Sequence, residues 1–139
     1  MLYRFTILLF IGLTTAFGAN AQVKAGLFAN YNELRNALDS ALTRADITTT
    51  LRRFDAGVTS EGQTIDVQRK FNQLFPAGLP NTSLVRRDTF GGGISRELIV
   101  YWNDTKYLWA SVLIHDRGNE VVAIEFTVNT DYDTVAGQF

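Results

Sequence analysis

Apolar residues recur every three or four positions through the front half of this chain and alternate with polar ones through the back half. Tyr31, Leu34, Leu38, Ala41 and Ala45 form one stripe at helical spacing, and Asn30 with Glu33 has the spacing of a capping box. A second, shorter helix is expected from Asp46, with Ile47, Leu51 and Phe54 inward and Gly57 as its stop. The polar, turn-forming stretch from Gly57 to Gln63 reads as a loop. A third helix follows, capped by Thr64 or Asp66. Its stripe is Val67, Phe71, Leu74 and Phe75, and Pro76 with Gly78 ends it.

Beyond Pro80 the period falls to two. Four strands are expected, over Ser83 to Phe90, Ile94 to Trp102, Tyr107 to Asp116 and Glu120 to Asn129. The breaks are Gly91-Gly92-Gly93, the Asn103 to Lys106 turn and the Asp116 to Asn119 turn. Connections this short make neighbouring strands antiparallel. Helices followed by strands define an α+β domain: two or three N-terminal helices packed on one face of a four-stranded antiparallel β-meander.

Short turns also permit register arithmetic. With Trp102 opposite Tyr107 and His115 opposite Glu120, one face carries Leu98, Val100, Trp102, Tyr107, Trp109, Leu113, Val122, Ile124, Phe126 and Val128. That face holds both tryptophans and is the expected seat of the helices, so Trp109 is expected in the core. The second face carries Ile99, Tyr101, Leu108, Ala110, Val112, Ile114, Val121 and Ala123, relieved by Glu97, Glu125 and Thr127. Monomers seldom expose so large an apolar surface. It therefore calls for cover: a helix, the N-terminal segment or the C-terminal tail, a second copy, a protein partner or a small apolar ligand. Ile99, Tyr101, Leu108, Ala110 and Val112 are the candidate binding or dimer face. In the first hairpin, Asp88 should meet Arg96 and Arg87 should meet Glu97, opposite charges that set register rather than perform chemistry.

The amino-terminal residues change the picture in one respect. Arg4, the apolar run from Phe5 to Leu13 and the Ala19-Asn20-Ala21 site read as a cleavable signal peptide over residues 1–21, leaving residues 22–139 as a single domain. The apolar run is too short and too diluted by Thr and Gly for a membrane-spanning helix, so membrane contact is expected only before cleavage. The chain has no cysteine, and Gln22 stands where a lipoprotein would need one. The expectation is an exported, soluble product, periplasmic or secreted, held together by packing without disulfides.

The formal charge is −1, and losing Arg4 with the leader makes the product one unit more negative. Charges of both signs are interspersed, which gives no electrostatic footprint for nucleic acid. The pairs Arg52-Arg53, Arg69-Lys70 and Arg86-Arg87 read as solvated faces of separate elements.

Candidate chemistry is sparse. His115 is the only histidine; with Asp116 or Glu125 it is the candidate for acid–base catalysis, against the plainer reading of a solvated imidazole at a strand end. One histidine and no cysteine argue against a zinc site. The triple glycine lacks the strand-to-helix context and third-glycine spacing of a dinucleotide loop, and Ser95 lacks the trailing glycine of a nucleophile elbow. Asn129, Asp131 and Asp133 offer too few oxygens for calcium and read as turn or capping residues, with Val135 and Phe139 tucking back onto the fold. No metal or cofactor is expected.

The order of helices followed by an antiparallel meander resembles that of cystatin-like and nuclear-transport-factor-2-like folds, although the loop between the second and third helices is shorter than the latter pattern implies. Folds of that shape host enzymes, binding modules and dimerisation domains alike. The apolar second face points to a non-enzymatic binding or interaction module. The alternatives are a small pocket enzyme using acid–base chemistry and a structural component of the cell envelope.

Overall fold

The computed structural model describes residues 24–54 and 60–139. The leader expected at residues 1–21 and the helix stop at Gly57 lie outside them. Among the described residues the chain is α+β, with four helices and one open five-stranded antiparallel sheet. Strand β1 (Leu27–Phe28) is followed by helices α1 (Tyr31–Leu42), α2 (Ile47–Phe54) and α3 (Glu61–Leu74). Strands β2 (Asn81–Gly91), β3 (Ile94–Asn103), β4 (Lys106–Asp116) and β5 (Val121–Asn129) come next, then a short helix α4 (Tyr132–Ala136). The sheet order is β1-β5-β4-β3-β2. Among the described residues no helix is long and apolar enough to cross a membrane.

Helix boundaries follow the caps. The Asn30 side chain accepts the Glu33 N–H at 2.9 Å and starts α1, and Asp46 accepts the Thr49 N–H at 3.0 Å at the start of α2. Helix α3 begins earlier than Thr64 or Asp66. Ser60 and Gln63 form a full capping box, with Gln63 N–H to Ser60 Oγ at 3.4 Å and Ser60 N–H to Gln63 Oε1 at 3.2 Å. The end of the expected loop is thus the first turn of the helix. Val67, Phe71 and Phe75 of the α3 stripe turn inward, whereas Leu74 is half exposed.

The first two hairpins pair as expected at most positions. Asp88 lies opposite Arg96, Arg87 opposite Glu97, and Trp102 opposite Tyr107. Gly93 is where the triple glycine is needed: its φ is +79°, and a Cβ there would collide with the Asp116 carbonyl oxygen, whose residue donates its N–H to the Gly93 carbonyl at 2.9 Å. The glycines serve a tight hairpin tip.

The last hairpin departs from the expected register, and with it the assignment of faces. His115 lies opposite Val122 rather than Glu120, and a bulge places Leu113 opposite Glu125 but Ile114 opposite Ala123, leaving Ile124 as the extra residue. Beyond that bulge β5 is turned over. Phe126 and Val128 therefore join Ile99, Tyr101, Leu108, Ala110, Val112, Ile114, Val121 and Ala123 on one face. This is the face the long helices cover, and it forms the main core with Phe28, Leu34, Leu38, Leu42, Ile47 and Phe54. The tryptophan face is not the seat of those helices. Ile99, Tyr101, Leu108, Ala110 and Val112, expected at a binding or dimer surface, are all fully buried beneath the helices. Both faces are apolar enough to be covered; the bulge at Ile124 decides between them by adding Phe126 and Val128 to one.

Two further elements complete the cover. Strand β1 pairs with the start of β5, Leu27 opposite Val122 and Phe28 opposite Val121. Arg53 of α2 holds it there: the guanidinium stands 3.7 Å from the Phe28 ring centre and donates to the Leu27 carbonyl at 2.6 Å. Arg53 is thus a packing residue, not part of a solvated face. On the tryptophan face, α4 packs against β4 and β5 and buries Val135 completely. Asp131 caps this helix by accepting the Thr134 N–H at 2.9 Å.

Candidate functional site

Two surfaces combine concavity with chemistry. The first is built around Glu97, which has no exposed area although its neighbours on the same face of the sheet are apolar. A buried carboxylate persists only when paired and hydrogen-bonded. Here α1 and β2 supply the partners. Arg87, opposite on β2, donates Nε to Glu97 Oε1 at 2.7 Å and also pairs through Nη2. Tyr31 donates its hydroxyl to Oε2 at 3.0 Å, and Arg35 Nη1 lies 3.6 Å from the same oxygen. Arg35 also pairs with Asp39 at 3.2 Å, and Asp39 accepts the Tyr101 hydroxyl at 2.6 Å. The i, i+4 spacing of Tyr31, Arg35 and Asp39 puts all three on one face of α1, so one helix clamps two buried sheet residues.

The network shifts proton affinities in one sense. Burial raises the Tyr101 hydroxyl above its ordinary value of 10.0, and the bond to Asp39 adds to it. Burial and Glu97 raise Tyr31 likewise. The hydrogen bond to Glu97 holds Arg87 more firmly protonated. A tyrosine raised in the folded state keeps its proton where the unfolded chain has lost it. Its stabilising contribution is therefore complete below the ordinary value and fades as pH rises above it. Tyr101→Phe is expected to fold, to lose about 1–2 kcal/mol with the hydrogen bond to Asp39, and to flatten the alkaline limb of a urea-midpoint-versus-pH curve. An alkaline limb as steep as that of the parent would contradict this assignment.

In front of Glu97 lies an open pocket of about 290 Å³ walled by Tyr31, Arg87, Thr89, Ser95, Glu97 and Asp116. The structure does not assemble the expected acid–base group around it. Asp116 lines the pocket and accepts the Gly118 N–H at 2.8 Å. His115 alternates to the other face of β4, half buried. Glu125 is exposed on that other face, 3.3 Å from Arg96. Arg87, Tyr31 and Arg35 were not foreseen as a site. The register pairing of Arg87 with Glu97 was legible, but the reach of α1 to the same carboxylate was not.

The second surface is aromatic. Tyr107 and Trp109 stack with ring centres 6.2 Å apart and planes 16° apart, and Tyr132 of α4 meets Trp109 edge-on at 4.8 Å. These rings, with Leu74 and Phe75 at the end of α3, wall a groove of about 420 Å³ whose polar rim is Thr105, Lys106 and Thr130. The Lys106 ammonium donates to the Leu74 carbonyl at 2.9 Å and ties the rim to α3. Tyr107 is 46% exposed and Tyr132 47%, and Trp109 is half buried. Trp109 therefore belongs to a surface groove and not to the core expected for it. Apolar lining with a few polar rim groups is the usual composition of a small-ligand or side-chain site.

Fold and grooves together define a small α+β domain with a clamped, charged interior and an open aromatic face. Compared with protein-family models, characterised proteins and solved structures, the chain matches none.

Proposed function

We propose that this chain is an exported, non-enzymatic binding module whose ligand is an apolar, ring-bearing group seated in the Tyr107–Trp109–Tyr132 groove. The carrying observation is three contacting aromatic rings in one groove, two of them nearly half exposed. Exposed aromatic area at a concave surface costs solvation free energy that a ligand can recover, and contacts with such rings contribute about 0.5–1.5 kcal/mol each beyond area burial. The Glu97 network then serves to hold α1 against the sheet. The element order that resembles cystatin-like folds fits this reading without selecting it.

Titration with anilinonaphthalene sulfonate, followed by dye and tryptophan fluorescence, tests the groove. Saturable binding is expected, weakened about tenfold by the Tyr107→Ala/Tyr132→Ala double variant. Absent binding, or binding that the double variant leaves unchanged, would sink the proposal. Export rests on the residue 1–21 pattern, with release into the periplasm or medium after Ala21. Amino-terminal sequencing of the released protein should begin at Gln22; an intact Met1 in the membrane fraction would overturn it. A second reading, a small acid–base enzyme, is favoured by one observation, the Asp116 carboxylate in the pocket beside Glu97.

A further inference from the structure

Among the described residues, strand β2 is an edge of the sheet along all eleven of its residues, Asn81–Gly91, with β3 as its partner on one side only. The other edge is treated differently, because β1 caps the start of β5. An unpaired edge strand presents a row of backbone donors and acceptors ready to join another strand. Exposed Leu84, Val85 and Phe90 on β2 are 40%, 49% and 60% accessible, so this edge carries apolar area as well as backbone groups. Its two irregularities, at Val85 and Phe90, leave the segment from Arg86 to Thr89 in regular register with β3.

That regular segment is complementary to itself. A two-fold axis perpendicular to the sheet pairs antiparallel strands so that residues of the same parity face each other. With the axis at Arg87, Arg86 faces Asp88 of a second copy, and Asp88 faces Arg86 of that copy. Arg86 and Asp88 lie on one face of β2, since they stand opposite Leu98 and Arg96 on β3. Arg87 meets its own equivalent at the axis, where the ion pair with buried Glu97 offsets its charge within each chain. The same register brings Leu84 and Val85 alongside Thr89 and Phe90 of the second copy. In the isolated chain Arg86 and Asp88 already contact each other at 2.8 Å on an exposed surface. Exposed pairs of this kind contribute little. Exchanging them for two cross-strand pairs retains the charge compensation while adding backbone bonds and burying apolar area.

We infer that two copies of this chain associate antiparallel through their β2 edges, with Arg86 of each facing Asp88 of the other, to form one continuous ten-stranded sheet. This association is independent of the aromatic groove. It is tested by sedimentation equilibrium of the purified protein together with two charge-reversed variants. The parent is expected at twice the chain mass. Arg86→Asp and Asp88→Arg each place like charges opposite one another at two positions, and each alone should weaken dimerisation by about tenfold or more. Mixed in equal amounts, the two variants restore both opposite-charge pairs and should recover a dimer containing one of each. Far-UV circular dichroism of each variant on its own verifies that it is folded before mixing. A parent at the chain mass, variants that dimerise as tightly as the parent, or folded variants that fail to recover a mixed dimer would each overturn the inference.

Discussion

Ile99→Asp is expected to unfold the protein. Ile99 has no exposed area, lies on the helix-covered face and belongs to the main core. An aspartate there would place a carboxylate in the apolar core that Ile99 shares with Leu34, Leu38, Leu108 and Ala110, without the cations that Glu97 enjoys on the same strand. Burying an unpaired charge costs more than about 4 kcal/mol, a large part of the 5–15 kcal/mol that holds a domain of this size together. Circular dichroism and a urea titration would show it: loss of the cooperative transition or a collapse of its midpoint. A folded variant of near-parental stability would mean that this face is not core but the candidate binding or dimer surface, one of the covers the sequence left open. The opposite control is Ile124, which is 52% exposed at the bulge and should accept aspartate with little effect.

Arg35→Ala is expected to cost about 3 kcal/mol, because it removes the one cation shared by Glu97 and Asp39. The Arg35 side chain is only 15% exposed, and Glu97 cannot turn to water when its partner goes. Arg87 and Tyr31 still hold that carboxylate, which keeps the loss at the lower end for a broken buried pair. Chemical denaturation gives the number. The Arg35→Ala/Glu97→Gln double variant separates a network from two independent contacts: it should cost clearly less than the two single changes added together. Strict additivity would mean that Arg35 acts through packing of its stem alone. Arg35→Lys should fall between parent and alanine, since a lysine keeps the charge but cannot reach two carboxylates with one planar fork.

The two variants probe the two places where sequence and structure part. For Ile99 the difficulty was a choice between faces. Alternation along β3 and β4 puts Ile99, Tyr101, Leu108, Ala110 and Val112 together whatever the turn does, and the structure keeps them together. Which face the helices take depends on β5, and there a single extra residue reverses the strand. No residue near Ile124 announces a bulge by type, since glycine is absent from β5 and the apolar run Val121 to Ile124 fits either register. For Arg35 the difficulty was distance. Nothing local marks it as a partner of a strand residue some sixty positions away. Tyr31 was legible as apolar stripe but not as a hydroxyl donor to Glu97.

Other features were readable because their causes are local. Asn30 and Asp131 cap helices through bonds within three residues, and the strands end at glycine and asparagine–aspartate turns. Ser60 and Gln63 could have been read the same way, since a serine three residues before a glutamine is a capping signature.

The sequence by itself determined the class of the fold, the order of helices and meander, the caps at Asn30 and Asp131, most of the pairing in the first two hairpins, and the absence of any disulfide. These depend on periods and contacts between near neighbours, which a linear pattern records directly. Only the tertiary structure decided which apolar face is core and which is open. The same is true of the α1 clamp on Glu97 and of the aromatic groove completed by Tyr132 from α4. Each of those depends on a bulge or on side chains from distant segments meeting at one point. Their free energy appears only when the whole chain has closed around them, so no local stretch of residues carries its signature.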